Sequence, residues 1–137
     1  MANKKLPVAI IGSSIRFDYV TNGSGVNMPE YVIRFLPDYS CTSLWPDNEK
    51  ARSDFKMPIE YTELNLSAEL IQRLETFDDR IMDIIDWSNP AGPSPLSKEE
   101  RIQLYNDGKQ LLELVRKELG DNFEVLDKLD WIYPKED

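Results

Sequence analysis

The chain has 137 residues, with 25 aspartates and glutamates against 16 lysines and arginines, one cysteine and no histidine, for a net charge of −9. The missing histidine removes the usual base of Ser–His and Cys–His catalysis and the commonest metal ligand, so those enzyme classes are set aside. The acid surplus disfavours nucleic-acid phosphate and favours a basic partner. Cys41 has no second thiol for an internal disulfide, and no run approaches the ~20 apolar residues of a membrane span, so a cytoplasmic protein without membrane insertion is expected.

Length fits a single domain over 1–137. Val8–Ile11, Ile15–Val20 and Tyr31–Phe35 are rich in β-branched and aromatic residues and read as strands; in the second, Ile15, Phe17 and Tyr19 share one face. Asn22-Gly23 and Ser24-Gly25 supply the positive-φ residues of a hairpin turn leading into 31–35. Gly-Ser-Gly followed by Met28 is also the pattern of a leader joined to a start at Met28, so residues 1–27 read either as an accessory hairpin or as a leader to a core over 28–137. Pro37, Pro46 and Pro58 make 37–65 a long connection with at most short strands at 41–45 and 57–63.

The helical signals come next. Ser67 can cap a helix whose apolar positions are Leu66, Leu70, Leu74, Phe77, Ile81, Ile84 and Ile85, ending near Trp87 before the proline-rich 89–95. Ser97 with Glu100 forms a capping box for a second helix, and Gly120 stands where a C-terminal glycine belongs. Between them Ile102, Tyr105, Leu112, Val115 and Leu119 form the expected buried stripe, and Gly108 permits close helix packing. Phe123–Leu126 and Trp131–Tyr133 are the last candidate strands. Strands, two helices, then strand predict an α+β fold, with a mostly antiparallel sheet and two amphipathic helices packed on one face. The alternation of a doubly wound parallel sheet is missing.

Glu75, Asp79 and Asp83 recur at i, i+4 and i+8, with Asp86 a turn further and Asp78 beside them, which draws one acidic strip along the first helix, and Glu60 and Glu63 ahead of it deepen the negative field. Like charges at this spacing oppose helix formation, so the strip gains a reason if it meets cations in a partner. The plain alternative is a solvated face relieved by Arg73 and Arg80. A metal-dependent hydrolase using Asp79 and Asp83 would also require a base, a phosphate-gripping cation and converging carboxylates, none of which the sequence displays. A third reading is an acidic adaptor or nucleic-acid mimic. Cys41-Thr42-Ser43-Leu44-Trp45 lacks an activating base and reads as a small buried cysteine with a Trp anchoring a loop onto the sheet. No cofactor motif is present.

The succession Tyr31–Phe35, Asp38–Trp45, Leu66-Ser67-Ala68-Glu69-Leu70, Trp87 before a Pro-rich loop, Leu111-Leu112 and Glu118–Val125 resembles the immunity proteins of contact-dependent growth inhibition systems, which are encoded beside polymorphic toxins. The resemblance spans roughly residues 28–126. It implies a cytoplasmic, non-enzymatic inhibitor that binds the C-terminal domain of one cognate toxin, commonly a nuclease with a basic cleft. Contact surfaces vary within such proteins, so no binding residue is carried over. The partner-binding set expected from the residues themselves is Glu75, Asp78, Asp79, Asp83 and Asp86.

Overall fold

Tyr31–Phe35 forms the central strand, β1, of a three-stranded sheet in a computed structural model that describes residues 28–135. Its partners are β2 (Leu44–Pro46), antiparallel with Ile33 opposite Pro46, and β3 (Phe123–Asp127), parallel with Ile33 opposite Val125. The sheet is therefore mixed rather than mostly antiparallel. The pattern of Phe123–Asp127 marks a strand but carries no direction. Direction is set by the 22-residue helix before it, about 33 Å long at 1.5 Å per residue, which returns the chain to the end where β1 begins. There the Tyr31 N–H donates to the Asn122 carbonyl at 3.1 Å. The strands expected at 8–11 and 15–20, and the turn at 22–25, lie outside the described residues.

Three helices accompany the sheet where two were expected. The first, α1 (Glu49–Asp54), is short and is started by Asn48, whose side chain accepts from the Ala51 N–H at 3.0 Å. The second, α2 (Ala68–Ile81), begins at Ser67 as predicted but ends early. Met82–Ile84 tighten into a 3₁₀ turn and Ile85 is extended, because the Trp87 indole N–H takes the Met82 carbonyl and Ile84 turns into the core. The third, α3 (Lys98–Leu119), has the predicted Ser97–Glu100 capping box and closes on Gly120 at φ 76°. The segment expected as a strand at 57–63 holds a 3₁₀ turn over Tyr61–Glu63, and that at 131–133 is another over Asp130–Ile132.

The core lies between the sheet and the helices. Ile33, Phe35, Leu44 and Val125 from the strands meet Leu70, Leu74, Phe77 and Ile81 of α2 and Leu104, Leu111, Leu112 and Val115 of α3. Ile102, Tyr105 and Leu119 are only partly buried, so the inward stripe of α3 is rotated from the one the sequence indicated. The rotation puts Gly108 at the crossing with α2, where a Cβ would stand 3.0 Å from both Phe77 and Leu129. Side-chain ties fix the frame. Arg116 donates two N–H groups to the Val125 carbonyl, Arg101 donates to the carbonyls of Trp131 and Ile132, and Glu118 accepts from the Ser67 N–H and hydroxyl at 2.6 and 2.8 Å. No helix among the described residues is long and apolar enough to cross a membrane.

Candidate functional site

The chain between β1 and α2 folds back along α2, and the gap between them is a groove of about 620 Å³. Its walls carry Glu60, Glu75, Asp78 and Asp79 with Cys41, Thr42, Tyr61, Thr62 and Ile71, and no lysine or arginine lines it. Glu60 pairs at the rim with exposed Lys56, whereas Glu75 and Asp79 pair with no Lys or Arg among the described residues.

The floor is a closed polar triangle. The Ser43 hydroxyl donates to Asp78 Oδ1 at 2.6 Å, the Tyr61 hydroxyl donates to Asp78 Oδ2 at 2.6 Å, and the Ser43 backbone N–H donates to the Tyr61 oxygen at 2.9 Å. Ser43 is fully buried, and the arrangement satisfies its N–H and hydroxyl together. Burial pushes the Asp78 carboxyl up to about 6 despite the two hydroxyl donors, with Asp79 and Glu75 adding like charge. Burial and the adjacent Asp78 raise the Tyr61 hydroxyl far above its ordinary range. The thiol of Cys41 is likewise raised, by burial first and then by Asp38 and Asp78, so it is held as a neutral thiol. Trp45 anchors its loop by donating from Nε1 to the Leu36 carbonyl at 2.8 Å.

The five carboxylates expected to form one strip are distributed. Glu75, Asp78 and Asp79 line the groove, with Asp78 turned inward as a structural acceptor. Asp83, on the 3₁₀ turn, lines a smaller depression of about 200 Å³ toward α3 with Glu100 and Arg80, the latter paired to Asp107 at 2.6 Å. Asp86 lies past the helix in a turn closed by Asn89, where the Ser88 hydroxyl and N–H hold its carboxyl below the usual range. The strip assumed a helix continuous to Trp87, and the early end of α2 breaks it. Tyr61 is the groove residue that sequence reasoning missed; Glu60 was expected only to deepen the negative field ahead of the helix, and Ser43 was weighed only within the loop at 41–45. The one local signal was Glu60-x-x-Glu63, which is a capping box on the 3₁₀ turn. Among the described residues no group of three or more Cys, Asp or Glu is placed to hold a metal ion.

The model of one protein family, described as Serratia CdiI immunity protein-like, matches residues 31–127. That span covers both outer strands, all three helices and every residue of the groove. No curated protein matches the chain. The chain belongs to the Serratia CdiI immunity protein-like family, whose role is to neutralise a cognate toxin protein by binding it.

Proposed function

We propose that this immunity protein neutralises a toxin domain with a basic, nucleic-acid-binding cleft, a nuclease, by seating the acidic side of α2 against it in the cytoplasm. The observation that carries the reading is the groove walled by Glu60, Glu75, Asp78 and Asp79 without a lining cation. Asp83 and Asp86 extend the negative field past the end of α2. A net charge of −9 favours rapid encounter with a cationic surface and disfavours nucleic acid as the ligand. Inhibition is by occlusion, with no chemistry of its own: Cys41 is neutral and Asp78 is occupied as an acceptor.

Reversing Glu75→Lys and Asp79→Lys together tests this. The pair exchanges one i, i+4 like-charge pair for another on an exposed face, so folding is expected to be unharmed. Association with the purified toxin domain encoded beside this chain's gene should slow by about tenfold or more at low salt and lose much of its salt dependence. A double variant that folds, binds at the wild-type rate and still blocks nuclease activity overturns the reading.

A further inference from the structure

Beyond the groove, at the C-terminal end of α2, three aromatic rings from separate segments converge. Trp87 stands edge to face with Tyr39, centroids 5.4 Å apart at 85°, and Tyr39 meets Trp131 at 5.8 Å and 70°. Trp87 is 51% exposed. An exposed tryptophan ordinarily keeps its N–H in water, but here Nε1 donates to the Met82 carbonyl at 2.9 Å. What solvent meets is therefore carbon of a ring whose orientation is already fixed. Tyr39 is braced as well, because Ser40 takes a left-handed φ of 64° and its N–H points to the Met82 sulfur at 3.1 Å.

Carboxylates surround this ring in the chain. Asp86 precedes Trp87, Asp83 follows the Met82 that holds the indole, and Asp38 precedes Tyr39. None of the three pairs with a Lys or Arg among the described residues. The neighbouring Arg101 is committed to the Trp131 and Ile132 carbonyls. A preordered aromatic ring with carboxylates beside it in the chain, none of them in an ion pair among the described residues, fits one side chain best. Guanidinium is planar and weakly hydrated, stacks on aromatic rings and forks onto carboxylates, whereas an ammonium is a compact, strongly hydrated point charge.

We propose that Trp87, braced by Tyr39, is the anchor on which an arginine of the cognate toxin stacks, with Asp83 and Asp86 flanking its guanidinium. The proposal rests on the reading that the toxin meets the acidic side of α2 and names the contact at its far end. Residues of this type, held rigid and ready, carry most of the energy in protein interfaces.

The test uses the full chain and the purified toxin domain encoded beside its gene, comparing Trp87→Ala, Trp87→Leu and Trp87→Phe by calorimetry and by dissociation rate. Trp87 is half exposed, so the variants should keep wild-type circular dichroism. Trp87→Ala and Trp87→Leu are each expected to weaken binding 10- to 100-fold, chiefly through faster dissociation, and Trp87→Phe less than tenfold. If Trp87→Ala loses structure, the Leu and Phe variants carry the comparison alone. Leu binding as tightly as Phe overturns stacking, and Trp87→Ala binding within twofold of wild type overturns the anchor. Loss of binding in Glu75→Lys/Asp79→Lys alongside full binding by Trp87→Ala refutes the anchor and leaves acidic docking standing. No binding by the wild-type chain overturns both.

Discussion

Asp78 shows how a single residue ties the fold to the surface proposed to meet the toxin. Burial pushes its carboxyl from an ordinary 3.8 up to about 6 in the folded protein, so between these values the native state holds more protons than the unfolded chain. The stabilisation this gives is complete below about pH 4 and is lost as pH rises through 6. Asp78→Asn keeps the shape and an acceptor but cannot titrate. Relative to that variant, the wild-type protein is expected to lose about 1–3 kcal/mol of stability from pH 4 to pH 7. Urea melts of both proteins across that range measure it. A difference that stays flat with pH would mean that Asp78 is solvated much like a surface carboxylate. The triangle was not legible in the sequence, because Ser43, Tyr61 and Asp78 come from a strand approach, a 3₁₀ turn and a helix. Nothing local to any of them announces the others.

At the scale of elements, the helix starts were legible because their causes are local. Ser67 caps Leu70, Ser97 and Glu100 satisfy each other, and Gly120 supplies a positive φ, all within four residues of the ends they fix. Most of what failed was non-local. The direction of β3 and the rotation of α3 are decided by partners distant in sequence, the start of β1 and the crossing with Phe77, whereas the early end of α2 is marked five residues on by the Trp87 indole on the Met82 carbonyl, a bond that periodicity does not announce. The α1 helix was missed because six residues between prolines give no periodicity to read. Gly108 belongs to this scale, since its missing side chain sets how near α2 and α3 lie. Gly108→Leu gains helix propensity but drives atoms into Phe77 and Leu129. A net destabilisation of about 1–3 kcal/mol is expected by thermal or urea unfolding. An unchanged or raised midpoint would show that the two helices part without cost.

For the molecule as a whole, β1 is paired on both edges within residues 28–135, and the family match begins at residue 31. An expectation for residues 1–27 follows from that pairing. Deleting them is expected to leave the cooperative melt and toxin affinity near wild-type values, measured by calorimetric scan and titration, whereas unfolding of the truncated chain would assign them a share of the core. The polar floor of the groove carries one more consequence, which concerns where its hydrogens point. Those of the Ser43 and Tyr61 hydroxyls are directed at Asp78, and that of Thr42 at the Ile59 carbonyl. These hydroxyls spend their protons inside the fold and offer none of them to the groove. An occupant that brings its own N–H groups is therefore expected to suit the groove better than a phosphate or a carbonyl-lined strand, a discrimination by the supply of hydrogens that salt would not screen away.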